Sequence, residues 1–476
     1  MLTSTETSRQ RERSTGGIAR LFESVPVAPL VYMRVVFGAI MIWEVLRYFQ
    51  RGWIHTAFLE PRFHFTYYGF DWVRPWPGNG LYWHFAAMGV LAVCVAVGFC
   101  YRFAAVLFWL AFTYVFLLEA ALYLNHFYLV SILSFLLIFV PAHRAFSIDA
   151  RLRPDIRSNT APAWSLWLLR VQIGLVYFYA GVAKLNEDWL RGEPMRMWLA
   201  KRTDFPLIGR WFTDEWMVYA FSYGGMLLDL LVFPMLLWRK TRPIAFVGLI
   251  AFHLLNAKLF RIGIFPWLML AITPLFCSLN WWRQFGREML GILPPVQSGP
   301  AASADRLTAG QRVVVVLLAF WMLLQVGVPL RHFLYPGSVH WTEEGHRFSW
   351  HMKLRTKRAT AEFFARDPVT GLGWPVDPLQ YVEKWQLPRM SPRPDMVLQL
   401  AHHIATDLRE RGYPQIEVRV RVTAALNGRA PQLLIDPEAD LAAQPRNLLP
   451  AGWILPLSAE PPGGGGEPEG LTQDEE

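Results

Sequence analysis

A lysine stands where an apolar run ends in the stretch YFYAGVAKLNEDWLRG, residues 177–192. Two chemistries fit an amine at this place. Lys184 could extend its charged end to the lipid headgroups while its stem stays among apolar groups. Alternatively, burial favours the neutral amine, and a neutral amine is a competent base near pH 7. The spacing of the residues leaves both interpretations open.

Other polar side chains interrupt the apolar runs. His253 lies inside AFHLLNAKLF, and Asn256 follows three residues later on the same helical face, which indicates a polar pocket. His126 opens another run, where a histidine commonly caps a helix or contacts headgroups. Ionisable groups are costly inside a membrane and tend to have partners. We interpret the remaining ones as structural ion pairs or headgroup contacts: Arg34, Glu44, Glu119, Arg170 and Asp229.

The composition places these residues in a membrane protein. Of 476 residues, 53% are hydrophobic and only 17% are charged, whereas soluble domains are about 25% charged. Nine apolar runs approach the roughly twenty residues that span a bilayer as a helix. The sequence therefore predicts an α-helical integral membrane domain over residues 26–335, with about nine transmembrane helices. They cover residues 27–46, 84–101, 103–122, 126–142, 163–184, 217–238, 243–259, 262–277 and 312–333.

The net charge of +9 is distributed as membrane topology requires. Basic residues are concentrated before the first run, between the fourth and fifth, between the sixth and seventh, and after the eighth. With nine spans these segments share one side, which the positive-inside bias makes cytoplasmic. We therefore expect residues 1–25 to be a basic cytoplasmic segment without a cleavable signal peptide. The charge needs no nucleic-acid partner to explain it.

The composition changes after the last run. Residues 336–458 contain period-two patterns, a turn at Asp367-Pro368 and the hairpin pair Asn427-Gly428. One segment, DMVLQLAHHIATDLRERGY, has helical spacing. The sequence predicts a small β-rich (α+β) extracytoplasmic domain here. The acidic, Gly/Pro-rich residues 459–476 are predicted to be disordered.

Two segments between spans are long and rich in aromatic residues, 47–83 and 185–216. Aromatic side chains prefer the headgroup zone, so these segments are interpreted either as interfacial belts or as a lid over a pocket. The chain has three cysteines, all in or beside predicted spans, which argues against a framework of disulfides. No Gly-rich phosphate loop and no metal-ligand spacing is visible in the sequence.

Long blocks of the chain resemble the vitamin K-dependent gamma-glutamyl carboxylases and the bacterial proteins that share their transmembrane domain. In the apolar region the blocks are LNHFYLVSILSFLLIFVPAHRAFSIDA, YFYAGVAKLNEDWLRG, GGMLLDLLV and AFHLLNAKLFRIGIFPWLMLAITPLFCS. In the polar region they are GHRFSWHMKL, DPVTGLGW and LLIDPEADL. The resemblance covers roughly residues 25 to 445 in order. A departure is that the animal enzymes join their two domains by a disulfide, for which this chain has no cysteine in its predicted outer segments.

The resemblance implies roles for individual residues. Lys184 matches the catalytic base of the family. Asn125 and His126 match an Asn-His pair that helps to position the reduced quinone. We expect four further residues to line the pocket for quinone and substrate: His253, Asn256, Tyr177 and Trp189.

The implied enzyme is a carboxylase in the lipid bilayer. It couples oxidation of a reduced naphthoquinone (phylloquinol or menaquinol) to its epoxide by O₂ with carboxylation of a glutamate in a protein or peptide by CO₂, and it uses no metal. In a bacterium the quinol would be menaquinol and the location the plasma or inner membrane. Three alternatives stay open: a quinone-dependent oxygenase or epoxidase with another acceptor, a non-catalytic transporter or receptor, and a b-type haem protein with His126 and His253 as axial ligands.

Overall fold

A computed structural model of the protein describes residues 17–260, 262–292, 307–458 and 460. The predicted basic segment lies mostly outside these residues, and the predicted acidic tail lies almost entirely outside them. Their predictions are therefore not addressed by the structure.

Helices dominate the described part of the chain. Five short helices connect the longer ones: Ile148–Leu152, Glu187–Leu190, Met195–Ala200, Val339–Thr342 and Leu387–Met390. The longer helices are α1 (Ala28–Gln50), α2 (Gly80–Val97), α3 (Tyr101–Leu118), α4 (Asn125–Phe139), α5 (Ala163–Ala183), α6 (Glu215–Leu237), α7 (Arg242–Phe260), α8 (Phe265–Ile272), α9 (Leu279–Leu290), α10 (Ala309–Leu330) and α11 (Pro394–Glu410).

Seven described helices are long and apolar enough to cross a membrane: α1, α2, α3, α5, α6, α7 and α10. The other two predicted spans form shorter apolar helices. The α4 helix has 15 residues, which is about 22 Å at 1.5 Å per residue and less than the roughly 30 Å of a hydrocarbon core. The α8 helix continues only through a 3₁₀ turn to Phe276. A multi-pass membrane protein is confirmed, but the count of nine spans is not.

The described strands are β1 (Ser24–Pro26), β2 (Thr160–Pro162), β3 (Lys357–Arg366), β4 (Gly373–Val376), β5 (Glu417–Leu426) and β6 (Gln432–Leu433). The C-terminal part of the chain, called the C-terminal domain below, contains a four-stranded antiparallel sheet in the order β4-β3-β5-β6. Asn427 and Gly428 both have positive φ angles, 50° and 79°, as the tight turn after β5 requires. The predicted small C-terminal sheet is confirmed, and α11 is the long helix beside it, with two short helices, Val339–Thr342 and Leu387–Met390, in the same region. A separate two-stranded pair joins β1 to β2 beside the first residues of α1.

The two aromatic segments pack the C-terminal domain against the helices. Phe65 and Tyr67, from the first segment, are buried in the same apolar core as Trp341 of the C-terminal domain. Trp198, from the second segment, donates its indole N–H to Oγ1 of Thr356 at 2.8 Å. The two segments therefore connect the C-terminal domain to the membrane helices. Neither the interpretation as interfacial belts nor the interpretation as a lid predicted these contacts.

Candidate functional site

The amine of Lys184 is held inside the protein. Its Nζ donates to Oδ2 of Asp229 at 2.7 Å and to the carbonyl of Ala180 at 3.1 Å. The side chain of Lys184 is 7% exposed and that of Asp229 is 4% exposed. A lysine that reached for headgroups would be more exposed than this. The headgroup-anchor interpretation of Lys184 is therefore not supported.

Two glycines bring the helices of this pair together. A Cβ added to Gly181 would lie 2.7 Å from Cγ of Leu230, and one added to Gly174 would lie 2.4 Å from the ring of Phe233. Real Cβ atoms do not approach neighbours so closely, so α5 and α6 can meet at this distance only with glycine at both positions. The close contact places the C-terminal end of α5 beside Asp229.

A second buried polar pair lies two helical turns from Lys184 on the same helix. The hydroxyl of Tyr177 and Nε2 of His253 are 2.8 Å apart, and both residues are buried. The other ring nitrogen of His253, Nδ1, is buried and has no hydrogen-bond partner in the described part of the chain. An imidazole nitrogen in this state can accept from, or donate to, a polar group of a ligand.

Phe265 connects the two predicted histidines. Its ring centroid is 6.1 Å from that of His253 and 6.1 Å from that of His126. Phe265 therefore lies against both histidine rings, and Nε2 of His253 is already bonded to Tyr177. In the described ranges, no three or more His, Cys, Asp or Glu side chains are arranged to hold a metal ion.

The loop after Lys184 is fixed by local hydrogen bonds. Oδ1 of Asn186 accepts from the backbone N–H of Trp189 at 3.0 Å and so caps the short helix that follows. The indole N–H of Trp189 donates to the carbonyl of Ser222 on α6 at 2.9 Å. This orientation places Nζ of Lys184 5.3 Å from the Trp189 ring. Trp189 therefore covers one side of the Lys184 amine.

The same loop binds the C-terminal domain through Asp188. Its carboxylate accepts from Nη1 and Nη2 of Arg429 at 2.8 and 2.6 Å and from Nδ2 of Asn427 at 2.7 Å. Burial alone would raise the pKa of Asp188, but the hydrogen bonds from Arg429 and Asn427 outweigh it and keep that pKa below its usual value. The hairpin turn after β5 is thus attached four residues from Lys184.

Asn125 lies at the junction of the two domains. Its Nδ2 donates to the carbonyl of His351 at 3.1 Å, and its Oδ1 accepts from the hydroxyl of Tyr123 at 3.0 Å. A polar cavity of about 100 Å³ opens beside it. Its lining includes Tyr123, Asn125, Glu343, His346, Arg347, Arg393 and Asp395.

An apolar cavity of about 30 Å³ lies among α1, α2, α3 and α4. Phe127, the neighbour of His126, lines it, and Glu44 supplies a polar edge. Glu44 is paired with Arg47 at 2.6 Å, as the sequence analysis expected of a charged residue in a span. The aromatic side chains around His126 therefore extend, through Phe127, to this cavity.

The structure groups most of the predicted site residues. Around the C-terminal half of α5, Lys184 lies beside Trp189, and Tyr177 bonds His253 two helical turns earlier. Phe265 contacts the rings of both His253 and His126. Asn256 is half-buried one turn beyond His253. Asn125 makes its polar contacts with the C-terminal domain, not with this region.

Three residues of the site were not predicted from the sequence: Asp229, Asp188 and Phe265. Asp229 was noted as a charged residue in a span, and its place in GGMLLDLLV was the available signal. Its partner is 45 positions away, so no local pattern connects the two. Nothing in the spacing of Asp188 or Phe265 pointed to their contacts.

Comparison with known proteins gives two matches. Residues 22–281 match the HTTM domain family. Residues 310–460 match the family described as vitamin K-dependent gamma-carboxylase, lumenal domain. No solved structure matches the chain. A lumenal domain fits an extracytoplasmic C-terminal region.

Proposed function

The chain belongs to the vitamin K-dependent gamma-glutamyl carboxylase family, and from that membership we propose that it is a membrane carboxylase with Lys184 as its base. In the proposed reaction, oxidation of a reduced naphthoquinone to its epoxide by O₂ is coupled to carboxylation of a glutamate side chain by CO₂. The observation that carries this proposal is the buried contact of 2.7 Å between Lys184 and Asp229.

Asp229 makes the lysine chemically useful. In a low-dielectric interior two opposite charges are costly unless paired, so a Lys–Asp contact keeps zero net charge wherever its proton lies. With the proton on Asp229, Lys184 has a free lone pair. In this state Lys184 would accept one proton from a hydroxyl of a bound quinol, while Asp229 stays hydrogen-bonded to it. We propose that Lys184 and Asp229 act together in this way.

The surroundings suit an aromatic quinol. The rings of Phe265, His126 and His253 supply flat contacts, and the buried, unpaired Nδ1 of His253 is available to a quinol oxygen. We propose that these three residues and Tyr177 hold phylloquinol or menaquinol, with its apolar tail directed toward the cavity lined by Phe127. When bound, the quinol would supply the electrons that reduce O₂, and its oxidation would drive removal of a proton from a weakly acidic carbon.

Exclusion of water is the second contribution of the chain. Trp189 covers one side of Lys184 and is itself buried, and the pair of Lys184 with Asp229 is almost inaccessible. A strong base formed in this region is protected from premature protonation by solvent. Asn125, at the domain junction, is proposed to orient substrate entering from the side of the C-terminal domain.

The proposal is tested with detergent-solubilised wild-type protein. It is incubated with reduced vitamin K, O₂, labelled bicarbonate and a short glutamate peptide, and each component is omitted in turn. We expect label in the peptide and quinone epoxide in the complete mixture, and neither product without quinol or O₂. Epoxide without peptide label would replace the proposal with an epoxidase that has another acceptor. Neither product from folded protein would favour a transporter or receptor.

A further inference from the structure

Four histidines of the C-terminal region form a cluster near the domain junction, with the ring of His351 in contact with the other three. The ring centroid of His351 is 4.9 Å from that of His332, 5.1 Å from that of His340 and 5.3 Å from that of His346. His351 is 5% exposed and His340 is 8% exposed. The cluster lies outside the residues assigned to the quinol site, and its geometry does not match a metal centre.

The central imidazole has free hydrogen-bonding capacity. Both ring nitrogens of His351 and Nδ1 of His340 are buried and have no hydrogen-bond partner among the described residues. A neutral imidazole carries one donor and one acceptor. Buried polar atoms of this kind are normally bridged by ordered water. Chains of imidazole and water can pass a proton because each ring accepts on one nitrogen and donates from the other.

Burial lowers the pKa of the imidazoles in the cluster, and nearby cationic groups add to this effect. Burial lowers the pKa of His340 to about 3, with Arg355 adding to the effect. Burial also places the pKa of His346 and of His351 well below the usual value. The charged groups that face these rings are mostly cationic: Arg331, Arg355 and Arg393, with Glu343 and Asp188 as the acidic ones. A proton that reaches the cluster is therefore passed on and not held.

One end of the histidine cluster lies toward the loop of Lys184, and the other end lies at a polar cavity. The segment of His340 packs beside the lysine loop: the carbonyl of the adjacent Trp341 accepts from Nζ of Lys357. The residue before Lys357, Thr356, bonds Asn427, which donates to Asp188 of the lysine loop. His346 lines the polar cavity of about 100 Å³ at the junction, beside Asn125. The backbone carbonyl of His351 accepts the hydrogen bond of Asn125. The cluster thus extends from the loop of the proposed base to a polar cavity.

The proposed reaction requires such a path. A reduced quinol, O₂, a glutamate C–H bond and CO₂ give the epoxide, a new carboxylate, one water molecule and one proton. The C–H bond breaks, a C–C bond to CO₂ forms, and the quinol is oxidised while O₂ is reduced. One proton per turnover must therefore leave a site that excludes water.

We propose that His340, His351 and His346 form a proton relay that carries this proton from the loop of Lys184 to the junction cavity. The relay rests on the proposed carboxylase function. The relay acts on the release of the proton and not on the binding of quinol.

The test compares quinol-dependent carboxylation in weak buffer for the wild type, His351→Phe and His346→Phe. We expect both variants to turn over about tenfold more slowly, with the KM for quinol unchanged. Added imidazole should restore their rates and leave the wild type unaffected. His403→Phe is the control, since its ring stacks on Phe63 away from the cluster.

Each outcome decides between the claims. Wild-type rates in both variants, or losses that imidazole does not restore, would overturn the relay and leave the carboxylase standing. His346→Phe covers the case in which His351→Phe does not fold. A wild type that forms no carboxylated peptide in any buffer would overturn the proposed function, and the relay with it.

Discussion

Nζ of Lys184 and Oδ2 of Asp229 are 2.7 Å apart, and both side chains are buried where α5 and α6 meet. Removing one partner of a buried ion pair leaves the other without compensation, which typically costs about 3 to 5 kcal/mol. Substitutions at this pair must therefore be separated into effects on folding and effects on chemistry.

The substitution Asp229→Asn separates an effect on the chemistry from an effect on folding. The amide keeps the shape of the carboxylate but cannot take up the lysine proton. We expect carboxylation to fall roughly 100-fold while the protein stays folded, as judged by gel filtration and thermal unfolding. Asp204→Asn is the matched control, because Asp204 is 81% exposed. Wild-type carboxylation by Asp229→Asn would show that Lys184 needs no proton acceptor.

Tyr177→Phe removes the hydroxyl that bonds Nε2 of His253. An unpaired buried nitrogen costs about 1 to 3 kcal/mol, and the ring loses its orientation. We expect the KM for quinol to rise roughly tenfold, in keeping with a loss near 1.4 kcal/mol. The KM is measured from the initial rate of epoxide formation at increasing quinol concentrations. Tyr179→Phe is the control, since its hydroxyl bonds the carbonyl of Val326 on another helix. An equal effect of both variants would assign no special role to Tyr177.

The pair of Asp188 and Arg429 is expected to fix the C-terminal domain to the lysine loop. Because the pair is largely buried, Arg429→Gln should lower the free energy of unfolding by about 3 kcal/mol. Hydrogen exchange in β5 and in residues 185–192 should then increase together. The lowered pKa of Asp188 means that its stabilisation is present at neutral pH and is lost only as the pH falls below the unfolded value, about 3.9. Unchanged exchange in both segments would contradict this role.

Thermal stability is expected to fall as the pH drops below about 6.5. The pKa of His340, His346 and His351 is lowered in the folded protein, mainly by burial. Between those values and about 6.5 the unfolded chain binds more protons, so acid favours unfolding by about 1.4 kcal/mol per pH unit for each histidine. His351→Phe should flatten this dependence, measured as the apparent Tm from pH 7.5 to 5. A Tm in the variant that depends on pH as the wild-type Tm does would contradict the prediction.

Local patterns predicted much of the fold. The turn at Asn427-Gly428 and the helix α11 follow from turn chemistry and helical spacing, which act over a few residues. The two shorter membrane helices were harder to predict, because their apolar runs include residues that the chain uses in 3₁₀ turns and loops, such as those from Thr273 to Phe276. Hydropathy reports apolar character but not where a helix ends.

The candidate site was predictable only in part. Tyr177 and Lys184 share a face of one helix, so their proximity follows from spacing. The partners Asp229 and His253 come from other helices, and the histidine cluster assembles from residues between 332 and 351 around the junction. These contacts depend on how helices pack at glycines such as Gly181, which the spacing of residues along one chain does not specify.

The most direct test of the central claim is the labelled-bicarbonate assay on Lys184→Ala beside the wild type, with folding of both confirmed by thermal unfolding in detergent. We expect the wild type to produce labelled peptide and quinone epoxide together, and Lys184→Ala to lose both by at least roughly 100-fold. Label and epoxide from Lys184→Ala at the wild-type rate would show that this lysine is not the base.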